Sequence, residues 1–108
     1  MEKSAAIWRD MFLKWPPHFK RKGVIEPVRG ESIPFIDFVM SEDVVVIERA
    51  TPDTTGARRV AIPFQNIMLL KYTEPLNTEA FLLAGYVLGA NAGTGKASQA
   101  RAAVAPGR

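Results

Sequence analysis

Apolar residues change their spacing along the chain, and each change marks a boundary. Ile7, Trp8, Met11, Phe12 and Trp15 recur at helical spacing and form one apolar stripe. Ser4 precedes them as the expected N-cap. Pro16-Pro17 ends the helix, because proline lacks the amide proton and restrains the residue before it. From about residue 21 the pattern becomes that of strands. Val24-Ile25 opens the first, and Pro27 predicts an edge position for it. Arg29 to Ser32 is a turn. Ile33 to Met40 is apolar on both faces except at Asp37, the pattern of a buried central strand. Ser41-Glu42-Asp43 is a second turn, and the β-branched run Val44 to Ile47 is a third strand. Thr51 to Gly56 (TPDTTG) is a loop. Arg58 to Phe64 and Ile67 to Tyr72 are the fourth and fifth strands, with Gln65-Asn66 as the turn between them. Asn77 or Thr78 caps a short helix running to about Leu88. In it Gly85 and Gly89 form a small-xxx-small pair, a mark of close packing or of fraying.

Beyond Ala90 the residues are mostly Ala, Gly, Ser, Thr, Lys, Arg and Pro. That composition has too little apolar bulk to offset ordering entropy and predicts a flexible basic tail. The expected organisation is therefore a domain over 1–75, a short helix within 76–89 and a tail over 90–108. The whole is 108 residues, enough for one small domain, and a core of that size gains from oligomerisation.

Charge changes the picture more than composition does. The net formal charge is +3, but it is unevenly spread. Residues 1–22 hold six basic and two acidic side chains, 23–89 five and nine, and 90–108 three and none. The predicted strand region is acidic and both flanks are basic. A polyanion would meet the N-terminal segment or the tail. There is no cysteine, so disulfide and thiolate chemistry are excluded. That suits a reducing compartment. With no apolar leader and no apolar run of membrane-spanning length, the expected location is the cytoplasm.

A helix followed by five short strands resembles the Sm-like small β-barrels, which include bacterial Hfq. The likeness covers about residues 5–75. GVIEPVRGESIPFIDFV resembles the first two strands and their turn. SEDVVVIER resembles the loop and third strand, with Asp43 at the position of the family's loop aspartate. VAIPFQNIMLL resembles the last two strands and the pinch at Phe64, Gln65 and Asn66. An SH3-like barrel of another kind fits the same pattern. The resemblance implies a mainly β fold: a helix, then a five-stranded, strongly bent antiparallel small barrel. It also implies a homo-oligomeric ring, with the fourth strand of one copy paired to the fifth of the next. Val60, Ile62, Ile67 and Leu69 would form that interface. The family's uridine pocket is altered. Val44 to Ile47 supplies only aliphatic side chains there, and Phe64, Gln65 and Asn66 replace the Lys-His pair of the Hfq type. Asp37 stands where the bent second strand often carries glycine.

The candidate RNA contacts are His18, Phe19, Lys20, Arg21 and Lys22, extended along the helix by Arg9 and Lys14. Cations there would neutralise phosphates and Phe19 would stack on a base. The plain alternative is a solvated linker. Gln65 and Asn66 carry amides able to read a base edge, or serve only as a turn. Phe64 is a stacking surface or a core residue. Arg58-Arg59 reads as edge protection. Asp37 is a candidate for a perturbed acid, or for a partner of arginine or a backbone donor. His18 is the single histidine, which argues against a metal site and against acid–base catalysis. ANAGTGKAS approaches a phosphate loop but has Ala90 for the first glycine and Ala97 for Ser or Thr. No cofactor is expected. The resemblance, with these candidate contacts, thus implies a non-catalytic RNA-binding ring. Its alternative is a ring-forming scaffold whose C-terminal helix docks a protein partner.

Overall fold

The computed structural model describes residues 3–89. Contacts divide the chain after Pro75. The first unit contains α1 (Lys3–Leu13), β1 (Gly23–Pro27), β2 (Ile33–Phe35), β3 (Asp37–Met40), β4 (Val44–Glu48), β5 (Arg59–Pro63), a 3-10 turn (Phe64–Asn66) and β6 (Ile67–Tyr72). The second contains α2 (Thr78–Leu83). The tail and its ANAGTGKAS segment lie outside the described residues.

Six strands form two three-stranded antiparallel sheets, ordered β2-β1-β6 and β3-β4-β5. The sequence pattern predicts five strands. The difference lies in the run 33–40, which breaks at Ile36. Its first half pairs with β1 and its second half with β4. Ile36 itself donates its amide to Glu48 O at 2.8 Å. Asp37 Oδ1 then accepts from the amide of Phe38 at 2.8 Å. The polar residue inside an apolar run thus sits at the bend, doing without the glycine that the resemblance led one to look for. Nor is the run buried on both faces. Phe35 and Phe38 point inward, while Ile36 and Val39 are exposed.

Three further expectations are corrected. Helix α1 begins before Ser4, which is therefore not its cap. Its inward residues are Ala5 and Phe12 with Trp8 packed against the core, whereas Ile7 faces solvent. Strand β1 is central rather than at an edge. Pro27 is tolerated because it ends the strand at an irregularity, where β6 has one residue more than β1.

The core gathers Phe12, Ile25, Phe35, Phe38, Val45, Ile47, Ile62, Phe64, Ile67 and Leu70. Phe12 meets Phe38 edge-on at 4.9 Å and lies 6.1 Å from Phe64 and 6.5 Å from Phe35. Aromatic pairs of this kind add about 0.5–1.5 kcal/mol each beyond their area burial. The helix therefore covers residues of both sheets.

In the second unit Asn77 caps α2, its Oδ1 accepting from the amide of Ala80 at 3.0 Å. The helix stops at Leu83, short of Leu88. Gly85 has φ 113°, and its amide donates to Leu82 O while that of Tyr86 donates to Phe81 O. The Tyr86 ring meets Phe81 edge-on at 5.7 Å. This is a Schellman end. Gly85 is there for its left-handed backbone, which corrects its reading as half of a packing pair.

Gly23 is equally constrained. A Cβ there would stand 2.2 Å from Lys71 O, inside the β1–β6 ladder. Gly23→Ala is expected to cost about 1–3 kcal/mol, as other forced backbone shifts do. Urea denaturation of the two proteins measures it.

Candidate nucleic-acid interface

After α1, Pro16-Pro17 turns the chain and His18 adopts φ 71°, a left-handed conformation uncommon outside glycine. The indole Nε1 of Trp15 donates to Lys20 O at 3.0 Å and secures the loop. The reversal opens a cleft of about 410 Å³ lined by Phe12, Leu13, Trp15, Pro16, Pro17, His18, Phe19, Arg21, Phe38, Val39 and Met40. Three of the predicted contacts, His18, Phe19 and Arg21, thus share one depression with an aromatic floor.

Their charges are less available than the sequence suggests. Arg21 Nε donates to Asp37 Oδ1 at 2.9 Å and its Nη2 to Phe38 O at 2.8 Å. Its guanidinium also stands 4.7 Å from the centre of the Phe38 ring. Arg21 therefore fastens the linker to β3. Asp37 is the arginine partner and backbone acceptor that an acid in an apolar strand would be expected to be. Lys22 Nζ is 3.5 Å from a Glu74 carboxylate oxygen, and Lys14 Nζ is 3.0 Å from that of Asp10. Arg9 is half-buried, and its Nε, shielded from solvent, has no hydrogen-bond partner among the described residues. Lys20 is exposed and joins no ion pair among the described residues.

The pinch divides in the same way. Phe64 is 0% exposed and offers no face for stacking, so it leaves the candidate interface for the core. Gln65 and Asn66 are exposed on the 3-10 turn. The turn is tied at both ends: the Phe64 amide donates to Asp43 O at 3.1 Å, and Asn66 O accepts from the Val28 amide at 2.7 Å. Of the predicted interface residues, Ile62 and Ile67 have their side chains in the core, Val60 packs partly against it, and Leu69 is exposed. Among the described residues, β5 and β6 are each paired on one side only.

Two acidic groups are perturbed, and neither stands out in the sequence. Asp53 Oδ1 accepts from Thr55 Oγ1 at 2.7 Å and from the amides of Thr55 and Ala57 at 2.8 Å. The Thr55 hydroxyl foremost, then the two amides, hold its carboxyl below the usual aspartate range. The spacing Asp-x-Thr-Gly is the available signal. Glu26 is lowered chiefly by its hydrogen bond with Lys71, 3.1 Å away across the β1–β6 ladder. Among the described residues no cluster of three or more His, Cys, Asp or Glu is placed to hold a metal ion. No helix there is long and apolar enough to cross a membrane.

Compared with known proteins, the chain matches no family model, no curated protein and no solved structure.

A carboxyl whose folded pKa is depressed contributes stability above its unfolded pKa, and that contribution is lost as pH falls through the folded value. Asp53→Asn is therefore expected to be less stable than the parent at pH 6. The gap should narrow as pH falls below about 4. Urea midpoints taken between pH 6 and 2.5 test this; a constant gap would deny Asp53 the role.

Proposed function

We propose that this chain is a non-catalytic RNA-binding module of the Sm-like kind, assembled head to tail into a homo-oligomeric ring. The observation that carries this reading is the strand arrangement. One bent run, β2–β3, passes from one sheet to the other, and the last two strands, β5 and β6, are edge strands of different sheets on either side of a three-residue turn. Open edges with exposed apolar neighbours call for pairing, and an edge that meets a different edge makes a head-to-tail contact, which forms a ring where its rotation closes. RNA would lie along residues 18–20, with Phe19 stacking on a base and Lys20 meeting phosphate. Gln65 and Asn66 are the second candidate contact. Arg21 positions this segment and is not itself the phosphate ligand.

A second reading keeps the ring but gives it a protein partner and no nucleic acid. The carboxylate pairing of Lys14, Arg21 and Lys22 favours it. So do the exposed side chains of Leu82, Leu83 and Val87 in the second unit.

Native mass spectrometry of protein purified without nuclease reports copy number and bound nucleic acid together. A ring carrying RNA supports the first reading, and a ring without RNA the second. For a ring that binds RNA, Phe19→Ala should weaken binding by about 1–3 kcal/mol. Lys20→Ala should lower the salt slope by about one for each copy that touches RNA. Both should leave the urea midpoint nearly unchanged. Arg21→Ala is the wrong probe, since it releases the linker from β3.

A further inference from the structure

The bend in the run 33–40 turns an apolar side chain outward. Ile36 is 44% exposed, and Pro34 is exposed as well. Both line a hollow of about 200 Å³ that gathers the start of β1, the end of β2 and the residues following β4 and β6. Val24, Phe35 and Ala50 complete its apolar part. The whole hollow lies within the first unit.

Two half-buried cations, Lys22 and Arg49, line the same hollow. They differ in what holds them. Lys22 Nζ is shared with a Glu74 carboxylate oxygen at 3.5 Å. Arg49 joins no ion pair among the described residues. Its amide donates to Arg58 O at 2.8 Å and its Nε to Thr51 O at 3.1 Å, so backbone and head are both fixed. Among the described residues its guanidinium makes no other hydrogen bond. A guanidinium presents parallel N–H groups that match the two oxygens of a carboxylate. Anchoring it beforehand lowers the ordering cost of binding.

Size and charge narrow the ligand. An apolar cavity of about 150 Å³ takes up one benzene ring, whereas drug-sized ligands need about 300–1,000 Å³. This hollow therefore admits a single ring or a short branched chain. Negative charge is limited too. Glu74 stands beside Lys22, and Arg49 also lines the neighbouring hollow that holds Glu31 and Asp53. Those carboxylates oppose a dianion or a chain of phosphates and leave room for one charge.

We infer that the hollow binds a small apolar monocarboxylate, with its carboxylate on the Arg49 guanidinium and its ring or branched chain against Val24, Phe35 and Ile36. The site is contained in one copy. It depends neither on the ring nor on RNA.

Benzoate is the probe, titrated into the intact protein at neutral pH and constant ionic strength while amide nitrogen and proton shifts are followed by NMR. For so small a ligand a dissociation constant on the order of 1 mM is expected. The shifts should centre on Gly23, Val24, Ile36, Ala50, Thr51 and Thr73. Benzamide keeps the ring and loses the charge; inorganic phosphate keeps charge and loses the ring. Each should bind at least tenfold more weakly than benzoate. Arg49→Gln should weaken benzoate binding at least tenfold with an unchanged circular dichroism spectrum. Ile36→Glu, at an exposed position, sets a carboxylate in the wall and should abolish binding, which keeps the test decisive if Arg49→Gln fails to fold. No saturable shift at those amides, equal affinity for benzamide or phosphate, or undiminished binding by either folded variant overturns the inference.

Discussion

One aromatic residue of the helix, Phe12, lies against residues from either side of the bend at Ile36. Its ring is buried, edge-on to Phe38 and within 6.5 Å of both Phe35 and Phe64. Phe35 belongs to the sheet of β1 and Phe38 to the sheet of β4, and the chain crosses between the sheets there and again at the turn Phe64–Asn66. Two small sheets joined by a bent strand have little to hold their mutual angle. A rigid ring wedged at the junction supplies that hold. Trp15 continues it, 5.4 Å from Phe38 and 4.9 Å from Tyr72 at the end of β6. Strand order, the position of the linker and the presentation of both open edges all follow from keeping that junction packed.

Electrostatics on this frame serves attachment first. The basic segment looks, residue by residue, like a polyanion site. Folded, Arg21 is spent on Asp37 and a backbone carbonyl, and Lys22 approaches Glu74. Such half-exposed pairs contribute little stability individually. Their effect is to direct the chain, leaving Lys20 and Phe19 as the groups best disposed toward a ligand. A net charge counted over a segment overstates what the surface offers when, as for Arg21 and Lys22 here, cations have carboxylates near them in space.

The sequence was most legible where the pattern is local. Helical spacing marked α1, β-branched runs marked β4, and Asn77 marked the start of α2. It was least legible where the outcome depends on a distant neighbour. The run 33–40 has no internal signal that its halves pair with different strands; only the presence of β1 and β4 on opposite sides divides it. Pro27 suggested an edge, but the bulge opposite it lets a central strand end there. Gly23 drew no notice, since its need for a missing side chain comes from Lys71 O, nearly fifty positions away. At the site, Phe64 was legible only as an aromatic beside two amides, and burial separated it from them. Gly85 was read by its size when its backbone angle was the reason for it.

The turn Phe64–Asn66 is the covalent hinge between the edge strands β5 and β6. Its three residues are tied to Asp43 on one side and Val28 on the other, which clamps it to both sheets. In an assembly built from those edges, the angle between them is the wedge that each copy contributes to the circle. In the proposed ring, the copy number would follow from the geometry of these three residues. A change there would have to move the hydrogen bonds to Asp43 and Val28 as well, so the angle between the two strands is held by contacts within the subunit.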